Sequence, residues 1–130
     1  MPYTYQIKDL LKLCTDTAKK HVKNVYPTTR PRSVSEKMNE FAVVSLPVET
    51  RNLVYGGSML TETIGSIDLF VRDKGGVENV DRLDELINSV CGDFPVKRDN
   101  LRLVKPRVTL RGSDKMGFHV ASVDFDVKTI

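Results

Sequence analysis

The sequence predicts an α+β fold in which a four-stranded, mainly antiparallel sheet carries two helices on one face. Three observations favour it: two segments repeat apolar residues at helical spacing, four segments have the apolar runs or alternation of strands, and Gly or Pro residues separate them. The predicted order is α-β-β-α-β-β, so both pairs of consecutive strands can form hairpins and both helices can pack on one side. The 130 residues suit a single domain, 1–130.

The first predicted element is a helix with Thr4 as a suitable N-cap and Pro27 as its end. Its apolar stripe follows the i, i+3, i+4, i+7 spacing of one helix face. The stripe consists of Ile7, Leu10, Leu11, Cys14, Ala18, Val22 and Val25. Lysines lie off this stripe, and those near the end of the helix suit the negative pole of its dipole.

A short apolar strand is predicted over residues 41–46, and Pro47 marks its end. Exposed loops are predicted on both sides of this strand, at residues 26–39 and 47–57. The first loop is basic and has Arg30 and Arg32 next to prolines, which favour extended backbone. The second loop carries Arg51 and closes with two glycines.

The sequence of residues 58–72 predicts a long strand in which the alternation of apolar and polar residues changes phase at Gly65. After this glycine, Ile67, Leu69 and Val71 point inward, whereas Leu60 and Ile64 belong to the other phase. A β-bulge at Gly65 would reconcile the two halves, because one extra residue reverses the faces of a strand.

A glycine-rich turn at 73–76 leads into the second predicted helix, with Asn79 as its N-cap and Gly92 at the C′ position. Acidic residues crowd its early turns, where the helix dipole favours them. The predicted buried stripe is Val80, Leu83, Leu86, Ile87 and Val90.

The last third predicts a hairpin of strands 101–110 and 118–128. Pro106 interrupts the first of these strands, which indicates an edge strand, a bulge or a break. The second strand places Ala121, Val123, Phe125 and Val127 on its inward side. Polar residues therefore gather on the opposite face of the sheet, namely Ser66, Asp68, Ser122, Asp124 and Asp126.

Charge is distributed unevenly although the net charge is only +3. Residues 19–37 and 97–115 are basic, and residues 49–93 are acidic. Two interpretations are open: these zones are solvated faces, or they orient association with a partner or a second copy of the chain. Cys14 and Cys91 occupy apolar helix positions, which predicts buried free thiols and a reducing compartment, the cytoplasm.

No group of residues in the sequence strongly indicates a catalytic site. Asp68, Asp124 and Asp126 would suit a Mg²⁺ site if their strands were neighbours. Simple alternation along solvated strands explains these carboxylates better, so a metal-dependent hydrolase is the third-ranked interpretation of function. The glycine pairs match no phosphate-binding motif. We therefore expect no enzyme activity, cofactor, metal or small-molecule substrate, and no apolar run is long enough to span a membrane.

A nucleic-acid-binding module is the second-ranked interpretation. The residues that would contact nucleic acid are those of the arm with Arg30 and Arg32 and the bases of the last hairpin, Arg102, Lys105, Arg107 and Arg111. The chain has no Trp, and its Phe residues lie mostly in strand-core patterns. Binding would therefore rely on salt-dependent phosphate contacts rather than on base stacking.

Three runs carry a resemblance to a known family: TIGSIDLFV at 63–71, NVDRLDELI at 79–87 and FHVASVDFDV at 118–127. Together with the leading helix they resemble tail-completion (tail-terminator, head–tail joining) proteins of long-tailed bacteriophages and their prophage relatives. The resemblance implies a structural protein without catalytic residues. The resemblance also implies a ring, typically hexameric, that caps the tail tube, meets the head connector and is incorporated in the virion. The candidate interface residues are Arg30, Arg32, Arg51, Asp68, Arg102, Arg107, Asp124 and Asp126.

Overall fold

The computed structural model describes residues 7–27, 37–46, 51–55 and 58–129. The helices are α1 (Ile7–Lys19) and α2 (Val80–Gly92); the strands are β1 (Val25–Pro27), β2 (Glu40–Ser45), β3 (Arg51–Tyr55), β4 (Ser58–Arg72), β5 (Val96–Arg98), β6 (Leu101–Ser113) and β7 (Phe118–Thr129). The predicted α+β class with two helices is confirmed. Over the described ranges, neither 13-residue helix is long and apolar enough to cross a bilayer.

All seven strands belong to one sheet with the order β1-β2-β4-β7-β6-β5, and β3 pairs with the first part of β4. Only β1 and β2 are parallel. The antiparallel pairings β2–β4 and β6–β7 confirm the two predicted strand pairs. The predicted number of four strands is wrong, because β1, β3 and β5 add three short strands to the sheet.

Two of these short strands lie where other structure was predicted. α1 ends at Lys19, and the amides of His21 and Val22 both donate to the carbonyl of Ala18, 3.1 and 3.0 Å away. The chain then becomes extended, and β1 pairs with Ala42–Val44 of β2. The helix therefore does not continue to Pro27. β3 lies inside the predicted loop 47–57, where pairing with β4 determines its conformation.

Both helices pack on one face of the sheet, as predicted. The core between them and the sheet contains Leu10, Leu13, Cys14, Ala18, Val22, Ala42, Val44, Ile67, Leu69, Val71, Leu83, Leu86, Val90, Ala121, Val123, Phe125 and Val127. Asn79 caps α2 as predicted, since its side chain accepts from the amide of Arg82 at 3.3 Å. Gly92 is the last helical residue rather than C′, because Asp93 follows it in right-handed helical conformation.

β4 has no bulge at Gly65, and that prediction is wrong. The register of β4 with β7 is unbroken from Glu62 to Arg72 and places Gly65 opposite Phe125. A Cβ at position 65 would lie 2.7 Å from the ring of Phe125, which is fully buried. Gly65 is therefore an inward position that is left empty for an aromatic ring, and the strand keeps one phase from Thr63 to Arg72.

β6 contains two irregularities in its pairing with β7. The first lies between Val104 and Arg107, where Lys105 has φ of 56° before Pro106. The second lies between Leu110 and Gly112, whose φ is 82°. Of the alternatives predicted at Pro106, an edge strand, a bulge or a break, the structure has an irregularity in the pairing of a continuous strand. β5 pairs only with 101–103, so among the described strands β7 is the sole neighbour of β6 beyond them.

The opposite face of the sheet carries a second, smaller core at one end. We call it the aromatic cluster: Phe41, Val43, Phe70, Phe118 and Val120, with Tyr26 and Met38 packed against it. Phe41 stacks on Phe70 with ring centroids 4.4 Å apart and meets the edge of Phe118 at 5.1 Å. The prediction of a polar face is thus wrong for this end.

Candidate functional site

Polar side chains of β4, β7 and β6 continue the opposite face beyond the aromatic cluster. These strands are neighbours, so their outward residues form rows in which Asp68 lies beside Ser122 and Ser122 beside Thr109. We call this group the polar strip; it consists of Ser66, Asp68, Arg107, Thr109, Arg111, Ser122, Asp124 and Asp126.

Asp68 lies at the centre of a hydrogen-bonded chain within the polar strip. Its Oδ1 accepts from Ser66 Oγ at 3.0 Å and from Ser122 Oγ at 2.6 Å. Ser122 Oγ in turn accepts from Arg111 Nε at 3.0 Å, and the Ser122 residue is only 1% exposed. The carboxylate is thus fixed by two hydroxyl groups, one of which is oriented by a guanidinium group.

The other two carboxylates of the polar strip face donors on β6. Arg107 Nη2 donates to Asp126 Oδ1 at 3.0 Å, and Thr109 Oγ1 lies 3.5 Å from Asp124 Oδ2. Within the described ranges, no group of three His, Cys, Asp or Glu side chains could hold a metal ion. Asp68, Asp124 and Asp126 do lie on neighbouring strands, yet each is oriented towards donors rather than towards a common centre.

The structure brings together four of the eight candidate interface residues: Asp68, Arg107, Asp124 and Asp126. Arg102 lies further along β6, and Arg51 is in β3, where only its backbone is described. Arg30 and Arg32 lie outside the described residues.

Arg102 belongs to a row of three bases that the sequence did not reveal. Strand register places it directly between Lys97 of β5 and Lys128 of β7. Like charges in directly opposite positions repel. The register also places Glu62 of β4 opposite Lys128, so the row of bases is flanked by an acid on that side. The row could be recognised only once the pairing of β5, β6 and β7 was known.

An exposed apolar pair lies on β6 between its two irregularities; we call it the β6 patch, and it consists of Val108 and Leu110. Val108 is 43% exposed and Leu110 is 71% exposed. Both pair with inward residues of β7, so they extend the helix-covered face. They stay exposed because α2 packs on β4 and β7.

An acidic and apolar surface lies at the start of α2; we call it the α2 patch, and it consists of Val77, Glu78, Val80, Asp81 and Asp84. Val77 is 67% exposed and Val80 is 59% exposed. The predicted burial of Val80 is wrong, because α2 meets the sheet through later residues of its stripe. Part of this patch lines a depression of about 300 Å³.

Several contacts between basic and acidic side chains join segments that are distant in sequence. Arg82 of α2 holds Glu40 of β2 through Nε and Nη2, at 2.7 and 2.8 Å, and this hydrogen bonding raises the pKa of Arg82 further. His21 Nε2 lies 2.6 Å from an oxygen of Asp93, and His119 Nδ1 lies 2.6 Å from one of Asp73. Sequence spacing gave no signal for these pairs.

Both cysteines are free. Cys14 is buried as predicted, and burial raises the pKa of its thiol to about 12. Cys91 is partly exposed, which corrects the prediction that it is buried, and desolvation raises its pKa as well. The thiolate is the nucleophilic form, so neither residue is activated for nucleophilic chemistry near neutral pH.

The His119–Asp73 pair makes stability depend on pH. The hydrogen bond to Asp73 raises the pKa of His119 above its ordinary value of 6.5, partial burial opposes this, and the charges of Asp73, Glu78 and Asp114 add to it. A raised folded-state pKa means that protonated His119 stabilises the fold fully below about pH 6.5. That contribution is lost as pH rises through the folded-state pKa.

We therefore expect His119→Gln to reduce the free energy of unfolding more at about pH 5 than at about pH 9. Urea titrations of both proteins at the two pH values measure this, and other titrating groups cancel in the difference. Asp73→Asn should remove most of the same dependence. An equal loss at both pH values would contradict the assignment.

The chain matches no protein-family model and no curated protein. What bears on function is therefore the surface chemistry of the described residues: the polar strip, the basic row, the exposed apolar β6 patch and the acidic α2 patch.

Proposed function

We propose that this chain is a structural assembly protein that forms a homo-oligomeric ring and acts by contact rather than by catalysis. The observation that carries the proposal is a pair of unlike surfaces, the basic row of Lys97, Arg102 and Lys128 and the acidic α2 patch. A ring needs two different complementary surfaces on each subunit, because its contacts are head-to-tail. The resemblance to phage tail-completion proteins supports the same function.

The partners proposed on this basis are a tail-tube protein and a head-connector protein, with a hexamer as the expected ring. The polar strip is the candidate surface for one of them. Its fixed carboxylates, hydroxyl groups and guanidinium groups present a rigid pattern of donors and acceptors. Such a pattern favours a specific polar partner, because little side-chain freedom is lost on binding.

Sedimentation velocity on the pure chain tests the ring. At low salt and high protein concentration we expect a discrete species of about 88 kDa, six chains of 14.6 kDa. High salt should shift it towards monomer, because screening weakens contacts between exposed charges. A chain that stays monomeric at low salt and high concentration would contradict the proposal.

The basic row favours a second candidate function, nucleic-acid binding. Lys97, Arg102 and Lys128 lie side by side, and a phosphate backbone is one polyanion that would relieve their repulsion. Binding of random-sequence DNA that falls with salt and is lost in Arg102→Ala would support it. A matched control is Lys115→Ala, an exposed base in the turn after β6. Equal loss in both variants would indicate only general charge attraction.

A further inference from the structure

We propose that the edge of β6 that faces away from β7 binds an extended segment of a partner protein as an additional strand of the sheet. The segment would carry apolar side chains on the helix-covered face and acidic side chains on the opposite face. This binding site goes beyond the proposed ring and does not depend on it. In such binding the main-chain hydrogen bonds of the edge provide affinity, and the side chains on the two faces provide specificity.

The edge is open over the later part of β6. β5 pairs only with residues 101–103, and among the described strands β7 is the sole neighbour of the rest of β6. Every residue from Arg107 to Ser113 is exposed, as expected for a strand with one neighbour. Between the two irregularities, Arg107 to Leu110 keep a continuous register with β7. Every second residue of that stretch therefore directs its N–H and C=O groups away from β7.

Natural sheets protect such edges with lysine, proline or bulges. In β6 these features lie at the two ends of the exposed stretch: Lys105 and Pro106 at one end and the irregularity before Gly112 at the other. The stretch between them carries Val108 and Leu110, which are exposed on the helix-covered face because α2 packs on β4 and β7. Apolar side chains of an added strand would lie beside this pair and remove it from water.

The charge of β6 favours an acidic partner on the opposite face. Arg111 donates to Ser122 through Nε, and its two Nη groups have no acceptor among the described residues. Asp124 and Asp126 belong to β7, one strand further from the edge, so an added strand would meet the bases of β6 first. Opposite charges on neighbouring strands stabilise their pairing. β6 has four bases and no acid: Arg102, Lys105, Arg107 and Arg111.

These observations define the segment that fits the edge. It would place apolar residues beside Val108 and Leu110, and acids on the other face beside Arg107 and Arg111. A second copy of β6 fits less well, because antiparallel pairing would bring two further arginines to the face that already carries Arg107 and Arg111. Like charges on neighbouring strands destabilise pairing.

Fluorescence anisotropy with a labelled peptide tests the proposal. The probe is a short blocked peptide with valine at every second position and aspartate or threonine between the valines. One control peptide has lysine in place of aspartate, and another is N-methylated at its central residues. We expect each control to bind at least about tenfold more weakly, because lysine is repelled by β6 and N-methyl groups block pairing with a strand edge. Equal binding of the methylated peptide, or no binding of the aspartate peptide, would overturn the proposal.

A substitution in the chain locates the contact. Leu110→Asp should weaken binding of the aspartate peptide at least about tenfold, because it puts a charge at the apolar contact and an acid near the acids of the peptide. Val77→Asp is the matched control, since it makes the same kind of change at a residue outside β6 that is 67% exposed, compared with 71% for Leu110. Circular dichroism checks that both variants fold. Equal effects of the two variants would overturn the assignment to β6.

Amide hydrogen exchange followed by NMR tests the edge itself. In the free chain we expect alternate amides of residues 107–110 to exchange quickly, because only those facing β7 are hydrogen-bonded. Saturation with the aspartate peptide should slow the fast ones. Slow exchange of all of them in the free chain would overturn the proposal, because the edge would already be covered, and loss of that protection on dilution would identify a second copy as the cover. Exchange that the peptide leaves unchanged would also overturn it.

Discussion

Replacing Phe41 with alanine is expected to lower the free energy of unfolding by about 3–5 kcal/mol. Phe41 is fully buried on the face away from the helices, where it stacks on Phe70 and meets Phe118 and Tyr26 edge-on. Removing its ring leaves a cavity that these neighbours cannot fill without losing their own aromatic contacts. The loss should match that of a substitution in the main core, although neither α1 nor α2 covers this position.

Urea unfolding followed by circular dichroism measures the effect of Phe41→Ala. The matched control is Ile64→Ala, on the same face of the sheet but 52% exposed, for which we expect a change within about 0.5 kcal/mol. A loss below about 1 kcal/mol for Phe41→Ala would show that the aromatic cluster is loosely packed. The second core would then contribute little to the fold.

Gly65→Ala is expected to lower the free energy of unfolding by about 1–3 kcal/mol, although alanine is ordinarily tolerated better than glycine in a strand. The added Cβ would lie 2.7 and 2.8 Å from two ring carbons of Phe125. That ring cannot move aside freely, because it is fully buried and packs against Phe94 at 5.3 Å between centroids. The strain must therefore be absorbed by shifts of the backbone or of the core.

A double variant identifies the cause. Adding Phe125→Leu to Gly65→Ala should cost less than the sum of the two single changes, since the smaller side chain accommodates the new methyl group. Gly92→Ala is the control, because a Cβ there would meet nothing within 4 Å at the end of α2. We expect Gly92→Ala to be neutral or stabilising by up to about 1 kcal/mol. Strict additivity would show that Phe125 is not the obstacle.

Gly65 also shows where sequence reasoning about the fold reaches its limit. Both helices, the two antiparallel strand pairs and the irregularity at Pro106 were predictable, because each follows from periodicity or backbone chemistry along one segment. The phase change before Gly65 suggested a bulge, whereas the structure has an exposed Ile64 and an inward glycine opposite a ring. Only the strand register distinguishes these alternatives. The three short strands were missed because pairing, rather than composition, makes them extended.

The same limit applies to the candidate site. Alternation correctly placed Asp68, Asp124 and Asp126 on one face, away from the helices. Asp68 has one partner on its own strand, Ser66, but its closer partner Ser122 and the partner of Asp126, Arg107, belong to other strands. No spacing rule connects such positions, and the histidine–aspartate pairs are separated by 72 and 46 residues. The division of the chain into basic and acidic segments was visible in the sequence, but the side-by-side placement of the bases of the basic row was not.

The pairing of β4 with β7 has a kinetic consequence. The pairing joins two half-sheets, one made of β1, β2, β3 and β4 and the other of β5, β6 and β7. The paired residues that are nearest in sequence, Arg72 and Phe118, are 46 positions apart. Each half can form from more local contacts. Both the core under the helices and the aromatic cluster contain residues of β4 and β7, so neither is complete until this long loop has closed. Loop closure loses chain entropy before any contact compensates it, so we expect β4–β7 docking to set the rate of folding. Until it occurs, the long edges of both strands are open to pairing with other chains.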